Sequence, residues 1–300
     1  VSSEALQNPQ ESRDRGAVQA SKSGIVWLAS YPKSGNTWTR TFLHNLVHVT
    51  SRDTHVQQIN ELSRFSMGSA AKPLFEKIVG FAPTDAHRNQ IAAARARVQE
   101  QMTDEVEGLV FVKTHQAIVI DRGHPTINFA VTAGAIYIIR NPLDVAISYA
   151  HHLGKPIDFA IDYMNLKNAE TTVSKNQVYE VYGSWSQHVL SWTRKPHPAI
   201  YVMRYEDMLA EPQKTFGALA RHLLFTPTDE QLADAIDRSS FERLREQEEK
   251  DGFRERPEGA ERFFRDGRAG QWKEVLTSAQ IARIVEAHKE QMERFGYLPI

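Results

Sequence analysis

The sequence predicts a single α/β domain with a mostly parallel central sheet flanked by helices. Short apolar runs of buried-strand composition recur at residues 25–29, 109–112, 135–139 and 200–203, and patterns of helical period lie between them. Such alternation implies parallel strands joined by crossover helices. Each run also ends in polar residues with chemical capacity: Ser30 to Thr37, Lys113 to His115, Arg140, and Arg204 with Tyr205. In parallel sheets ligands bind beyond the carboxyl ends of the strands, so these segments are expected to share one site.

Residues 1–23 are rich in Ser, Gln, Glu and Arg and have no apolar core. They are expected to be a mobile tail, not a secretory signal, ahead of a domain at 24–300. The first apolar run breaks at Tyr31-Pro32-Lys33-Ser34-Gly35-Asn36-Thr37 and resumes as a helix carrying Trp38, Phe42, Leu43 and Leu46. Residues 50–83 hold small apolar clusters without a sustained period, the texture of a binding lid. Thr84 and Asp85 read as the cap of a helix reaching Met102, with Ile91, Ala94 and Val98 inward. The third run feeds a helix at 143–152, and further helices are expected at 182–193, 212–224, 229–236 and 241–249. Residues 250–270 form a charged loop containing Phe263 and Phe264. In the last helix Ser278 is the expected cap, Ile281, Ile284, Val285, His288 and Met292 line one face, and Gly296 ends it.

Composition removes several function classes. A net charge of −1 in 300 residues gives no global attraction to nucleic acid or an anionic membrane, so any polyanion must be held locally. The absence of cysteine excludes disulfides and thiolate metal sites and suits a reducing interior. No apolar run approaches the roughly 20 residues of a membrane span. A cytoplasmic location is expected, with neither nucleic acid nor a membrane span involved.

The strand, polar loop and helix around Lys33 suit a phosphate group. Loop N–H groups and the helix N-terminus point at the anion, Lys33 adds a charge, Ser34, Asn36 and Thr37 add short donors, and Gly35 permits close approach. Pro-Lys-Ser-Gly alone is equally a surface turn, and it is not the nucleoside-triphosphate motif, because the lysine precedes the glycine. From Tyr31 to Trp38, however, the segment resembles the P-loop-like phosphosulfate loop of the soluble sulfotransferases. These use 3′-phosphoadenosine-5′-phosphosulfate (PAPS) as sulfuryl donor.

Further segments extend the resemblance in order. Histidine at a strand end is more often structural, but beside a phosphate loop it is a candidate base. Lys113-Thr114-His115 resembles the family's Lys-Thr/Ser-His segment, which implies His115 as catalytic base and Lys113 as support for the transferring group. Arg140 offers a planar fork of donors, with Ser148 on the following helix, although on its own the segment slightly favours Arg140 simply paired to Asp144, with Ser148 merely helical. Residues 140–149 resemble the 3′-phosphate motif, which implies Arg140 and Ser148 as ligands. The segment 182–189 resembles a Gly-Ser-Trp-x-x-His-Val helix, read as scaffold. The resemblance at Arg204-Tyr205-Glu206-Asp207 implies Tyr205 near the adenine. That at Ser239-Ser240-Phe241 implies Ser239 and Phe241 there too, with Trp38 completing an aromatic sandwich. Residues 263–273 resemble the late Arg-Lys-Gly-x-x-Gly-Asp-Trp-Lys motif, implying Arg265, Asp266 and Gly267. Asp266 stands where the family has Lys and Gln271 where it has Asp, and whether Arg268 compensates is open. The dimer motif of mammalian relatives is degraded: Lys273 and Thr277 remain, while Ser278 and Ala282 replace Val and Glu.

The resemblance spans about 25–272 and implies a PAPS-dependent sulfotransferase of the sulfotransferase fold, of bacterial type. Its in-line transfer would use His115 as base, Lys33 and Lys113 as charge stabilisers, and no metal. The implied acceptor is an alcohol or phenol on a small molecule, lipid or natural product, covered by loops 50–83, 151–174 and 246–262. Phe65, Phe75, Phe81, Tyr149 and Tyr163 are candidates for its apolar wall. Two alternatives are a P-loop nucleotide kinase, which would need an Asp at a strand end for Mg²⁺, and a non-catalytic nucleotide-binding module.

Overall fold

A computed structural model describes residues 23–51, 58–104, 106–256 and 261–299. The expected tail lies outside these residues, except that Ser23 opens the first strand. The strands are β1 (Ser23–Ser30), β2 (Ser66–Gly68), β3 (Gly108–Thr114), a small antiparallel pair β4 (Ile120–Asp121) and β5 (His124–Pro125), β6 (Thr132–Ile139) and β7 (Ile200–Arg204). The central sheet has five strands in the order β2-β3-β1-β6-β7, and every neighbouring pair is parallel.

The sheet is buried on both faces because its central strands are apolar throughout. In β1, Ile25, Trp27 and Ala29 enter one core while Val26 and Leu28 enter the other, as the two-residue period of a strand requires. Helices Arg88–Asp104, Pro142–Leu153, Trp185–Thr193 and Ser278–Arg294 supply side chains to the first core. Helix α1 (Asn36–Thr50) packs in the second, with helices Pro212–His222 and Asp229–Arg238. The chain runs from β1 outward to β2 and β3, then returns to the other side of β1 for β6 and β7. Reversal of strand order at β1 opens a crevice at the carboxyl edge of the sheet. Register aligns that edge: Ala29 faces Thr114, Ser30 faces Ile138, and Ile139 faces Arg204.

Several expectations change in detail. The segment read as an irregular lid at 50–83 contributes the edge strand β2 and a helix, Lys72–Val79, and its residues 52–57 lie outside the described residues. A three-residue strand is too short to show a period. The helix expected from residue 182 starts at Trp185. Gly183 has φ +64, outside the right-handed helical region, and Ser184 caps the helix by accepting from the Gln187 N–H at 3.2 Å. Thr277, not Ser278, caps the last helix, through the Gln280 N–H. Helices Ile157–Asn165 and Tyr205–Ala210 occupy stretches read as loop and strand end.

Candidate active site

The break after β1 is forced by the chain itself. Lys33 has φ +66 and Gly35 has φ +104, and Gly35 supplies the N-cap of α1 without a side chain to cap it. A Cβ on Gly35 would stand 2.7 Å from the Tyr205 ring, so only glycine admits this contact. Asn36 ties the loop to the strand, donating its amide to the Leu28 carbonyl at 2.8 Å and to Ser30 Oγ at 3.3 Å. The first-turn N–H groups of α1 therefore face outward with neither a side-chain cap nor an acidic residue.

One cavity of about 1210 Å³ lies over this edge. Lys33, Gly35, Asn36, Thr37, Trp38, Lys113, His115, Arg140, Ser148, Tyr205, Phe241, Arg265, Asp266 and Gly267 all line it. Ser34 lies beneath the loop, buried, with its Oγ lacking any partner. Ser239 is a correction: its hydroxyl donates back to the Ala235 carbonyl at 2.8 Å, terminating a helix, and Ser240 lines the cavity instead.

His115 is fixed on three sides. Its Nδ1 lies 2.7 Å from the Ser30 carbonyl oxygen. A carbonyl only accepts, so Nδ1 carries the proton and Nε2 keeps its lone pair. The His115 backbone N–H donates to the buried Glu180 carboxylate at 3.1 Å, and its carbonyl accepts from His188 Nε2 at 3.1 Å. His188 is itself buried and stacked on Tyr137. Burial, then the neighbouring Lys113 charge, pushes the His115 pKa well below the ordinary histidine value, so the ring is a neutral base at pH 7.

The cations are arranged around this base. Lys33 has its ammonium 4.2 Å above the Phe263 ring and no carboxylate against it among the described residues. Burial first, then the Arg140 and Lys113 charges, lowers its pKa to about 7. Arg140 sits over the Tyr205 ring at 4.3 Å and donates to the Lys33 carbonyl at 3.0 Å and the Arg268 carbonyl at 3.2 Å. It does not pair with Asp144, which instead accepts the Gly270 N–H at 2.7 Å and the Trp272 N–H at 3.0 Å. Lys113 pairs with Glu255 at 2.9 Å. Arg268 does not supply a spare charge for the missing lysine, because it is shared between Asp266 at 3.1 Å and Glu274 at 3.0 Å.

The far wall is aromatic. Trp38 stands edge-on to Tyr205, their centroids 5.9 Å apart. Phe241 packs so tightly on Gly267, which has φ +66, that a Cβ there would lie 2.4 Å from the ring. Of the five aromatics proposed for the acceptor wall, only Tyr149 lines the cavity. Phe75 is core, Phe65 stacks on His44 and Phe111, Phe81 is 40% exposed, and the Tyr163 hydroxyl is bonded to the Glu170 carbonyl.

The site fits an anionic nucleotide on its own chemistry. Ser34 Oγ, Arg140 Nε and Trp38 Nε1 are buried polar atoms without a partner, and buried donors in folded proteins are rarely left so. Arg140 and Trp38 line the same cavity as Lys33 and the uncapped start of α1, and Ser34 lies in the loop between them. No cluster of three or more His, Asp or Glu side chains suited to a metal occurs among the described residues. Sequence reasoning passed over Arg40, Glu180, Glu248 and Glu255, none of which lies in a motif that could have flagged it, and read Asp144 only as a partner for Arg140.

Known proteins resemble the chain over most of its length. The sulfotransferase domain family model matches residues 24–296. Sulfotransferase 1B1 of Canis lupus familiaris is 27% identical over 287 residues, covering 91% of this chain and 84% of its own length. Flavonol 3-sulfotransferase of Flaveria bidentis is 25% identical over 284 residues, covering 90% and 82%. In fold, the chain is similar to retinol dehydratase solved with androsterone and inactive cofactor PAP, with TM-score 0.59, 18% identity, and coverage of 90% and 80%. The chain belongs to the sulfotransferase family.

Proposed function

We propose that this chain, with residues 24–300 as its catalytic domain, transfers the sulfuryl group of PAPS to the hydroxyl of a small-molecule acceptor. When bound, PAPS supplies the sulfuryl group. The observation that carries the division of roles is His115, with Nδ1–H given to the Ser30 carbonyl and its ring lining the cavity that Lys33 and Lys113 also line. His115 Nε2 takes the acceptor hydroxyl proton as the oxygen bonds to sulfur in line. Lys33, Lys113 and the loop N–H groups offset the charge on the departing 5′-phosphate oxygen. Arg140 and Ser148, with Arg265, Asp266 and the Gly267 backbone beside them, receive the 3′-phosphate. Trp38, Tyr205 and Phe241 receive the adenine, with Ser240 in place of Ser239.

At the acceptor end the wall combines Tyr149 and Tyr182 with Ser69, Glu180 and Gln177, which supports an alcohol or phenol bearing further hydrogen-bonding groups. No helix among the described residues is long and apolar enough to cross a membrane. A cytoplasmic setting is part of the proposal and rests on the cysteine-free composition. Family membership does not favour the kinase alternative.

The test is thermal unfolding with adenosine 3′,5′-bisphosphate (PAP), against 5′-AMP and metal-free ATP. A ligand at about 100 times its Kd adds about 2.7 kcal/mol of stability, a readily measured rise in Tm. Stabilisation by the bisphosphate alone supports the reading. No shift, or a preference for ATP, refutes it.

A further inference from the structure

Among the groups that the proposed chemistry does not use, the carboxylate of Glu255 bonds directly to the side chain of one of its cations, Lys113. Helix Phe241–Asp251 ends at Gly252, which has φ +68, and the chain turns back with the Arg256 N–H on the Phe253 carbonyl at 3.0 Å. Asn60 fixes this turn from outside, donating to the Gly252 carbonyl at 3.1 Å and accepting the Arg254 N–H at 2.9 Å. The turn presents Glu255 inward, where it meets cations from two separate elements. Arg40 of α1 donates to both its oxygens, at 2.8 and 3.0 Å, and Lys113 of β3 donates to Oε2 at 2.9 Å.

Arg40 is a rigid anchor. Its side chain is 1% exposed, and it also donates to Ser66 Oγ at 2.7 Å and to the Ser66 carbonyl at 3.3 Å, at the start of β2. Arg40 lies about one turn into the helix that opens from the phosphate loop. One carboxylate thus joins the helix of the phosphate loop to the strand that carries Lys113 and His115. Burial opposes ionisation of Glu255, but Lys113 and Arg40 hold it ionised.

We infer that Glu255 is a positioning residue for sulfuryl transfer: it holds the Lys113 ammonium at a fixed place relative to Lys33 and His115. A lysine ammonium on a four-carbon stem has many rotamers, and a charge-assisted bond to an anchored carboxylate removes most of them. Fixing Lys113 matters for turnover more than for donor binding, since a small misplacement of a group acting on the reacting atoms is costly to rate. Loss of the carboxylate charge, by contrast, leaves Lys113 free to meet an anionic donor, so donor binding is preserved or strengthened.

This inference rests on the proposed function, and the experiment separates the two. Glu255→Gln is compared with wild type for PAP binding, by thermal shift and calorimetry, and for kcat and KM with one accepted phenol or alcohol. The expected result is a kcat lower by on the order of tenfold to a hundredfold with PAP affinity equal to or tighter than wild type. Because Glu255→Gln leaves the buried Arg40 charge unpaired, Arg40→Met combined with Glu255→Gln is made in parallel and should give the same split. A kcat within about twofold of wild type in either soluble variant overturns the inference, as does loss of PAP affinity in step with turnover. Failure of both variants to fold also overturns it, in favour of a purely structural pair. Wild type unshifted by PAP overturns the function itself and the positioning role with it.

Discussion

Lys33 makes the affinity for PAP depend on pH in a calculable way. Burial, with Arg140 and Lys113 nearby, sets its pKa to about 7 in the free protein. A bound phosphate favours the ammonium and raises that pKa. The sign follows: Lys33's contribution to affinity is complete below pH 7 and is lost as pH rises from 7 towards the bound-state value. If the bound value exceeds about 9, the charged fraction in the free protein falls from about one half at pH 7 to about one hundredth at pH 9. Affinity then drops by about 50-fold, or ~2.3 kcal/mol. The ligand's own second phosphate ionisation, near pH 6, lies outside this window. His115 and His152 are held neutral by burial throughout it. Isothermal titration calorimetry in buffers of different ionisation enthalpy reads the effect directly, as an uptake of about 0.5 proton per site at pH 7. Lys33→Met should weaken binding at pH 7 and flatten the profile above it. Affinity constant within about twofold from pH 7 to 9, or an unchanged slope in Lys33→Met, would refute the assignment of Lys33 as a buried, anion-seeking cation.

Four other outcomes test the site. His115→Ala should lower turnover by about 10²–10⁴-fold while the PAP-induced thermal shift stays intact. Because burial holds the free-protein ring neutral well below the ordinary histidine value, the acid limb of the kcat/KM profile for PAPS should lie below pH 6.5. Gly267→Ala drives a methyl group into the Phe241 ring at a left-handed backbone position, and calorimetry should show PAP binding weakened at least tenfold. Asp144→Ala removes the acceptor for the Gly270 and Trp272 N–H groups, and urea unfolding should show a loss of about 1–3 kcal/mol, largely restored by Asn.

The sheet was legible because its strands obey simple composition rules. Runs such as Ile25–Val26–Trp27–Leu28–Ala29 are apolar at every position, which only a strand covered on both faces needs. The edge strand β2 was not legible, since Ser66, Met67 and Gly68 carry no β-branched or periodic signal. Motif order also supplied most of the cavity lining, because strand ends in a parallel sheet meet at one edge whatever lies between them. Contacts made across long sequence separations escaped. Glu255 reaches Arg40 and Lys113 over 215 and 142 residues, and neither an isolated glutamate in a charged loop nor an arginine on a helix marks itself as half of a pair. Ser239 failed for a related reason: serine at a helix end bonds its own backbone as readily as a ligand, and here the local bond won.

The departure at Asp266 bears on how the late loop acts. An aspartate in place of a lysine beside a proposed 3′-phosphate site brings a charge that opposes an anion. The aspartate is instead turned to Arg268, which it shares with Glu274, so the three side chains bond one another at the surface. What the loop offers the cavity is then mainly backbone: Gly267 pressed against Phe241, and the Arg268 carbonyl holding Arg140. Arg140 therefore gains its orientation from two main-chain carbonyls rather than from a carboxylate, and its full positive charge stays available. A guanidinium held by neutral acceptors attracts an anion more strongly than one already paired, which makes the loop's lost lysine less costly than its sequence suggests.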